Sequence, residues 1–72
     1  MDNEKERKER AREEMREMAQ YVFENGDVIE ANPFMLGDVH KVSYVIRLDG
    51  ELYYLTKTEK EWTYFYHGGK WL

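Results

Sequence analysis

The sequence predicts an α+β fold: one N-terminal helix packed on a four-stranded antiparallel, curved β-meander in the order 1-2-3-4. Three observations carry that prediction. The first third of the chain wraps charged residues around an apolar stripe at helical spacing. Two runs rich in β-branched and aromatic residues flank Asp49-Gly50, a strong short-range hairpin signal. Gly37-Asp38 and the polar stretch Thr58-Glu59-Lys60-Glu61 divide what remains into further strands.

The 72 residues make one domain, 1–72, near the lower size limit for a core that folds without staples. Cysteine is absent, which leaves neither a disulfide framework nor a thiolate metal site and fits a cytoplasmic location. No apolar run approaches the roughly 18 residues of a membrane span. The N-terminus alternates Glu, Lys and Arg, unlike a signal peptide, so no membrane association is expected. The net charge of −4 is spread evenly along the chain. Neither the helical part nor the remainder offers the basic surface that phosphate backbones need, and nucleic acid is not an expected partner.

The helix is expected over residues 3–24. Asn3 with Glu6 resembles a capping box, and Asn25-Gly26 supplies a left-handed stop. Ala11, Met15, Met18 and Val22 form its apolar stripe, widened by Ala19 and Phe23. From Asp2 to Arg10 nothing is apolar, and Glu4–Lys8 and Glu6–Arg10 are acidic-first pairs one turn apart. The early turns therefore read as a solvated extension. A coiled-coil seam would need apolar residues where Glu4, Arg7 and Lys8 stand.

Strands are expected at about 27–36, 39–48, 51–58 and 61–67. A two-residue turn at Asp49-Gly50 sets Leu48 against Glu51, Ile46 against Tyr53 and Tyr44 against Leu55. Val42, Tyr44, Ile46, Leu48, Tyr53 and Leu55 then share a core face. A turn at Gly37-Asp38 sets Leu36 against Val39, Ala31 against Tyr44 and Ile29 against Ile46, adding Ile29, Ala31 and Met35 to that face. Pro33 is acceptable in a first strand whose outer side has no partner, and a bulge or kink is expected nearby. Across the last connection, Lys57 meets Trp62, Leu55 meets Tyr64 and Tyr53 meets Tyr66, so Trp62, Tyr64 and Tyr66 complete the core face. Gly68-Gly69 ends or bulges the last strand, and Lys70-Trp71-Leu72 is an apolar tail able to fold back over an edge.

One helix cannot cover both faces of such a sheet. The opposite face holds Val28, Phe34, Leu36, Val39, Val45, Leu52, Tyr54 and Phe65, with Val45, Tyr54 and Phe65 in one cross-strand row. These eight residues are the candidate interface, because a contiguous apolar patch on an open sheet marks a contact site. A two-fold homodimer through this face is the expected partner arrangement. A protein or small molecule seated on the sheet is the alternative.

No catalytic, metal or cofactor site is expected. His40 and His67 are assigned to opposite faces of non-neighbouring strands and so cannot share a metal. Ser43 lies mid-strand without nucleophile-elbow glycines. His67-Gly68-Gly69-Lys70 lacks the spacing and the following helix of a phosphate-binding loop. Glu13, Glu14 and Glu17 lie on a charged helix surface and supply no general acid–base pair.

A helix cradled by a coiled antiparallel sheet resembles the cystatin-like and nuclear-transport-factor-like layouts. The resemblance is one of layout. The cystatin loop Gln-x-Val-x-Gly is absent, since Gln20-Tyr21-Val22-Phe23-Glu24 lies on the helix and lacks the glycine. A closer resemblance, across the whole chain, is to de novo designed α+β proteins: Glu, Lys and Arg on the helix exterior, Gly-containing two-residue turns, and one consistent face assignment. It implies a structural scaffold without catalytic activity, to which the open face adds the expectation of self-association. The alternative is a small natural binding or inhibitor module using that same face.

Overall fold

The structure is a computed structural model that describes residues 3–68 and the backbone of residues 70–71. Helix α1 (Asn3–Asn25) is followed by strands β1 (Asp27–Leu36), β2 (Val39–Leu48), β3 (Glu51–Lys57) and β4 (Trp62–His67), and by a two-residue strand β5 (Lys70–Trp71). The strands form one antiparallel sheet in the order β1-β2-β3-β4-β5, with the helix on one face. The tail expected to fold back does so as β5, which sets Lys70 opposite His67 and Trp71 opposite Tyr66. Leu72 lies outside the described residues.

Turn chemistry sets the hairpins. Asp49 and Gly50 both lie at positive φ, 53° and 78°, as a type I′ turn requires. Gly37 has φ 62° at the first position of the β1–β2 turn, where a type II′ turn needs it. The β3–β4 connection is a four-residue loop built on one threonine. The Thr58 hydroxyl accepts from the Lys60 and Glu61 amides at 3.3 and 3.2 Å, and the Thr58 amide donates to the Glu61 carbonyl at 2.9 Å.

The helix ends differently from the sequence expectation. Gly26 does not lie in the left-handed region; a side chain there would collide. A Cβ on Gly26 would come within 2.5 Å of Ile46 Cγ2 and 2.9 Å of the Val22 carbonyl oxygen. The Asn25 side chain completes the terminus by donating to the Tyr21 carbonyl at 2.8 Å. At the other end, residues 3–14 are exposed throughout, so the first turns are solvated. Met15, Ala19 and Val22 form the buried line. Ala11 and Met18, expected on the stripe, are exposed: Ala11 continues the buried line one turn back into the solvated extension, and Met18 lies to the flank of Met15, Ala19 and Val22.

Two bulges decide which side chains meet that line. In β4, Trp62 pairs with Lys57 but Tyr64 pairs with Thr56, so Thr63 is an extra residue. Its hydroxyl donates to the Thr56 carbonyl at 3.3 Å. One inserted residue reverses side-chain parity beyond it. Leu55 therefore meets Phe65 rather than Tyr64, and Tyr53 meets His67 rather than Tyr66. This corrects the assignment of Phe65 to the open face: it is 1% exposed and belongs to the core. It also removes Tyr64 and Tyr66 from the core face. In β1 the extra residue is Ile29: Val28 pairs with Ile46 and Glu30 with Val45. Val28 thus takes the helix-side register position expected of Ile29.

The core comprises Met15, Ala19 and Val22 against Ile46, Leu55, Trp62 and Phe65. Ala19 is fully buried, and its small side chain lets the helix approach closely. Phe23, Tyr44 and Trp62 pack edge-on or tilted on one flank, with centroids 5.1–5.9 Å apart. Lys57 Nζ lies 4.9 Å from the Trp62 ring centroid. Trp62 Nε1 donates to Gln20 Oε1 at 2.8 Å, and Arg16 pairs with Glu61, so the helix is tied to the start of β4 by polar contacts as well.

The helix rests on β4 and β2 and leaves β1 exposed along its whole length. Ala31 and Met35 keep the register expected of core residues but have nothing above them. Pro33 lies opposite Val42. Antiparallel pairs alternate between hydrogen-bonded and non-bonded, and proline fits only the latter, with its nitrogen toward the free edge.

Two outcomes test this packing. Phe65→Ala should cost about 3–5 kcal/mol in urea unfolding, whereas Tyr54→Ala on the far face should cost below about 1 kcal/mol. Gly26→Ala should cost about 1–3 kcal/mol through the clash with Ile46, read as a lowered unfolding midpoint with unchanged slope.

Candidate binding surface

The sheet face turned away from the helix is built from alternate residues of all four long strands. Register puts Phe34 and Leu36 on it from β1, Val39 and Val45 from β2, and Leu52 and Tyr54 from β3. The Thr63 bulge adds Tyr64 and Tyr66 from β4. Its central row is therefore Val45, Tyr54 and Tyr66, with Tyr66 standing where Phe65 was expected; the Tyr54 and Tyr66 rings are tilted with centroids 5.9 Å apart. Of the eight residues read as an interface, six occupy this face. Phe65 is buried beneath the helix, and Val28, although exposed, has the opposite parity.

Sequence reasoning missed Tyr64 and Tyr66 because it carried strict alternation through β4. A signal was present. Trp62 and Phe65 are the most apolar residues of that segment and lie three apart, a spacing that puts both on one face only if the strand holds an extra residue. Phe buries without a polar atom to satisfy, whereas each flanking Tyr carries a hydroxyl that favours a wetter position.

The face is apolar at its centre and charge-balanced at its margins. Asp27 and Glu30 from β1 share it with Lys41 and Arg47 from β2. Leu36 is 62% exposed and Tyr54 41%, and no element of the described chain lies over them. The β1–β2 hairpin also projects beyond the sheet. β2 pairs with β3 only from Val42 onward, so Phe34–Lys41 is a two-stranded tip. Phe34, Leu36 and Val39 are exposed on one side of it and Met35 on the other. Beside the tip lies a recess of about 600 Å³, lined by Pro33, Met35, His40, Val42, Tyr44, Lys57 and neighbouring residues.

A second polar group of side chains lies on the helix side. His67 stacks on Tyr53 with centroids 4.0 Å apart and planes 11° from parallel. His67 Nε2 lies 2.6 Å from Glu51 Oε2; a carboxylate only accepts, so the imidazole donates. Partial burial first, and then the charges of Glu51 and Asp49, raise the Tyr53 hydroxyl above its ordinary value of 10.0. His67 faces the helix side because of the Thr63 bulge, which corrects its assignment to the face opposite His40. The two histidines remain on β2 and β4, with β3 between them. Among the described residues, no group of three or more His, Cys, Asp or Glu could hold a metal ion. No helix among them is long and apolar enough to cross a membrane.

No protein-family model matches the chain, and searches of curated proteins and of solved structures return no match.

The raised Tyr53 value has a sign. The folded state holds this proton more tightly than the unfolded state, so the contribution is fully present below the unfolded value and is lost as pH rises through the folded one. Tyr53→Phe should therefore lose less stability than the parent between about pH 9 and 11, checked by thermal melts across that range.

Proposed function

We propose that this chain is a non-catalytic structural scaffold, of the designed kind its turn chemistry suggests, that pairs with a second copy through the open sheet face. One observation carries the reading: apolar and aromatic side chains from all four long strands meet on a face that the single helix does not cover. Balanced charge favours a second copy over a charged partner. Asp27 and Glu30 on one strand against Lys41 and Arg47 on the next give a two-fold arrangement opposite signs to match, despite a net charge of −4 for the chain.

The available area sets the strength. Strands about 4.8 Å apart, rising about 3.4 Å per residue, offer roughly 450 Å² over the length of β3. The hairpin tip extends this toward, but not past, the about 800 Å² per partner of a standard interface. The expected complex is a reversible dimer in the micromolar range.

A second reading has its own support. Met35 is exposed on the side of the tip that a flat face-to-face dimer leaves bare. A small natural module could use that tip, together with the open face, to engage a different protein.

Sedimentation equilibrium tests the first reading. The parent chain should be dimeric at high micromolar concentration, and Tyr54→Lys or Leu52→Glu should weaken pairing at least about tenfold while leaving the fold intact. A parent chain that stays monomeric, or a dimer broken by Met35→Glu but not by Tyr54→Lys, would overturn it.

A further inference from the structure

A recess of about 450 Å³ opens on the helix side, between the C-terminal half of α1, the β2–β3 turn and the end of β4. Its apolar floor includes Val22 and Phe65, both buried, and its aromatic walls are Tyr21 from the helix and Tyr53 from β3. Glu17 and Asp49 stand among the lining residues, and no lysine or arginine does. The volume falls within the range of pockets that take small molecules, about 300–1,000 Å³.

We propose that this recess binds a small organic cation, a quaternary ammonium group held against the Tyr21 and Tyr53 rings with Glu17 and Asp49 balancing its charge. Each part has a physical reason. Aromatic rings present a negative face that attracts cations, and compact alkylammonium groups shed water more easily than a metal ion does. Two carboxylates, with no lysine or arginine in the lining, supply the sign selectivity; His67 also lines the recess, but its Nε2 is engaged by Glu51 at 2.6 Å. The Tyr53 wall is fixed before any ligand arrives, because His67 stacks on it and donates to Glu51. The recess lies across the sheet from the open face, so occupancy does not depend on the proposed dimer.

Choline and its uncharged carbon isostere 3,3-dimethylbutan-1-ol provide the test, followed by proton NMR on the full chain. Choline should give a saturable upfield shift of its methyl protons and move the Tyr21 and Tyr53 ring resonances, with a dissociation constant of about 1–20 mM. The isostere should bind about fivefold more weakly. Tyr21 is exposed, so Tyr21→Ala should abolish the response without unfolding the chain. Asp49→Asn should weaken it about threefold, and asparagine suits the positive φ of 53° at that position. Tyr54→Lys should leave choline binding unchanged whatever it does to the dimer. No saturable shift below about 100 mM choline, equal binding of the isostere, or a response unchanged in both Tyr21→Ala and Asp49→Asn would overturn the proposal.

Discussion

Phe65 reaches the helix only because β4 holds one residue more than the strand it pairs with. That single insertion at Thr63 sets the destination of every later side chain in the strand. It closes the core by putting Phe65 beside Leu55, and it brings His67 over Tyr53. It also turns Tyr64 and Tyr66 to the opposite face. The Thr63 hydroxyl, bonded to the Thr56 carbonyl, gives the extra residue a local partner across the pair. Core and open surface are thus two results of one backbone irregularity.

A second constraint is the breadth of a single helix. Met15, Ala19 and Val22 form a narrow line that seals β2, β3 and β4, and β1 lies beyond its reach. Polar ties at the start of β4, from Gln20 to Trp62 and from Arg16 to Glu61, hold the helix toward that side. The protein accordingly has a well-packed half and a bare half. The bare half carries exposed apolar groups, Leu36 and Met35 among them. Regions with few packed neighbours are where a chain of this size has binding energy to offer and little stability to lose.

The architecture was legible because its signals are local. Asp49-Gly50 and Gly37-Asp38 prescribe turn geometry, and register follows by counting outward from them; Tyr44 opposite Leu55 and Leu36 opposite Val39 came from that alone. Counting fails wherever a residue is inserted, and nothing in a turn announces a bulge several positions away. Ile29 and Thr63 were such places, and they account for the misassigned Val28 and Phe65. Gly26 illustrates a different limit. Its position at the helix end was apparent, but the cause is the nearness of Ile46, a contact between residues remote in sequence. The recess beside Tyr53 belongs to the same class, since it arises where the helix and three strands meet.

Pro33 bears on how many copies can join. A bare outer strand of ten residues would ordinarily template another strand, and each strand so added would offer a fresh border for the next. An imide nitrogen in mid-strand, with the Ile29 distortion a few residues before it, interrupts that ladder. Growth by lateral addition is thereby discouraged, while stacking by a two-fold axis uses up its own surface and terminates at a pair. The same proline that looked like a local break guards the chain against becoming a fibre.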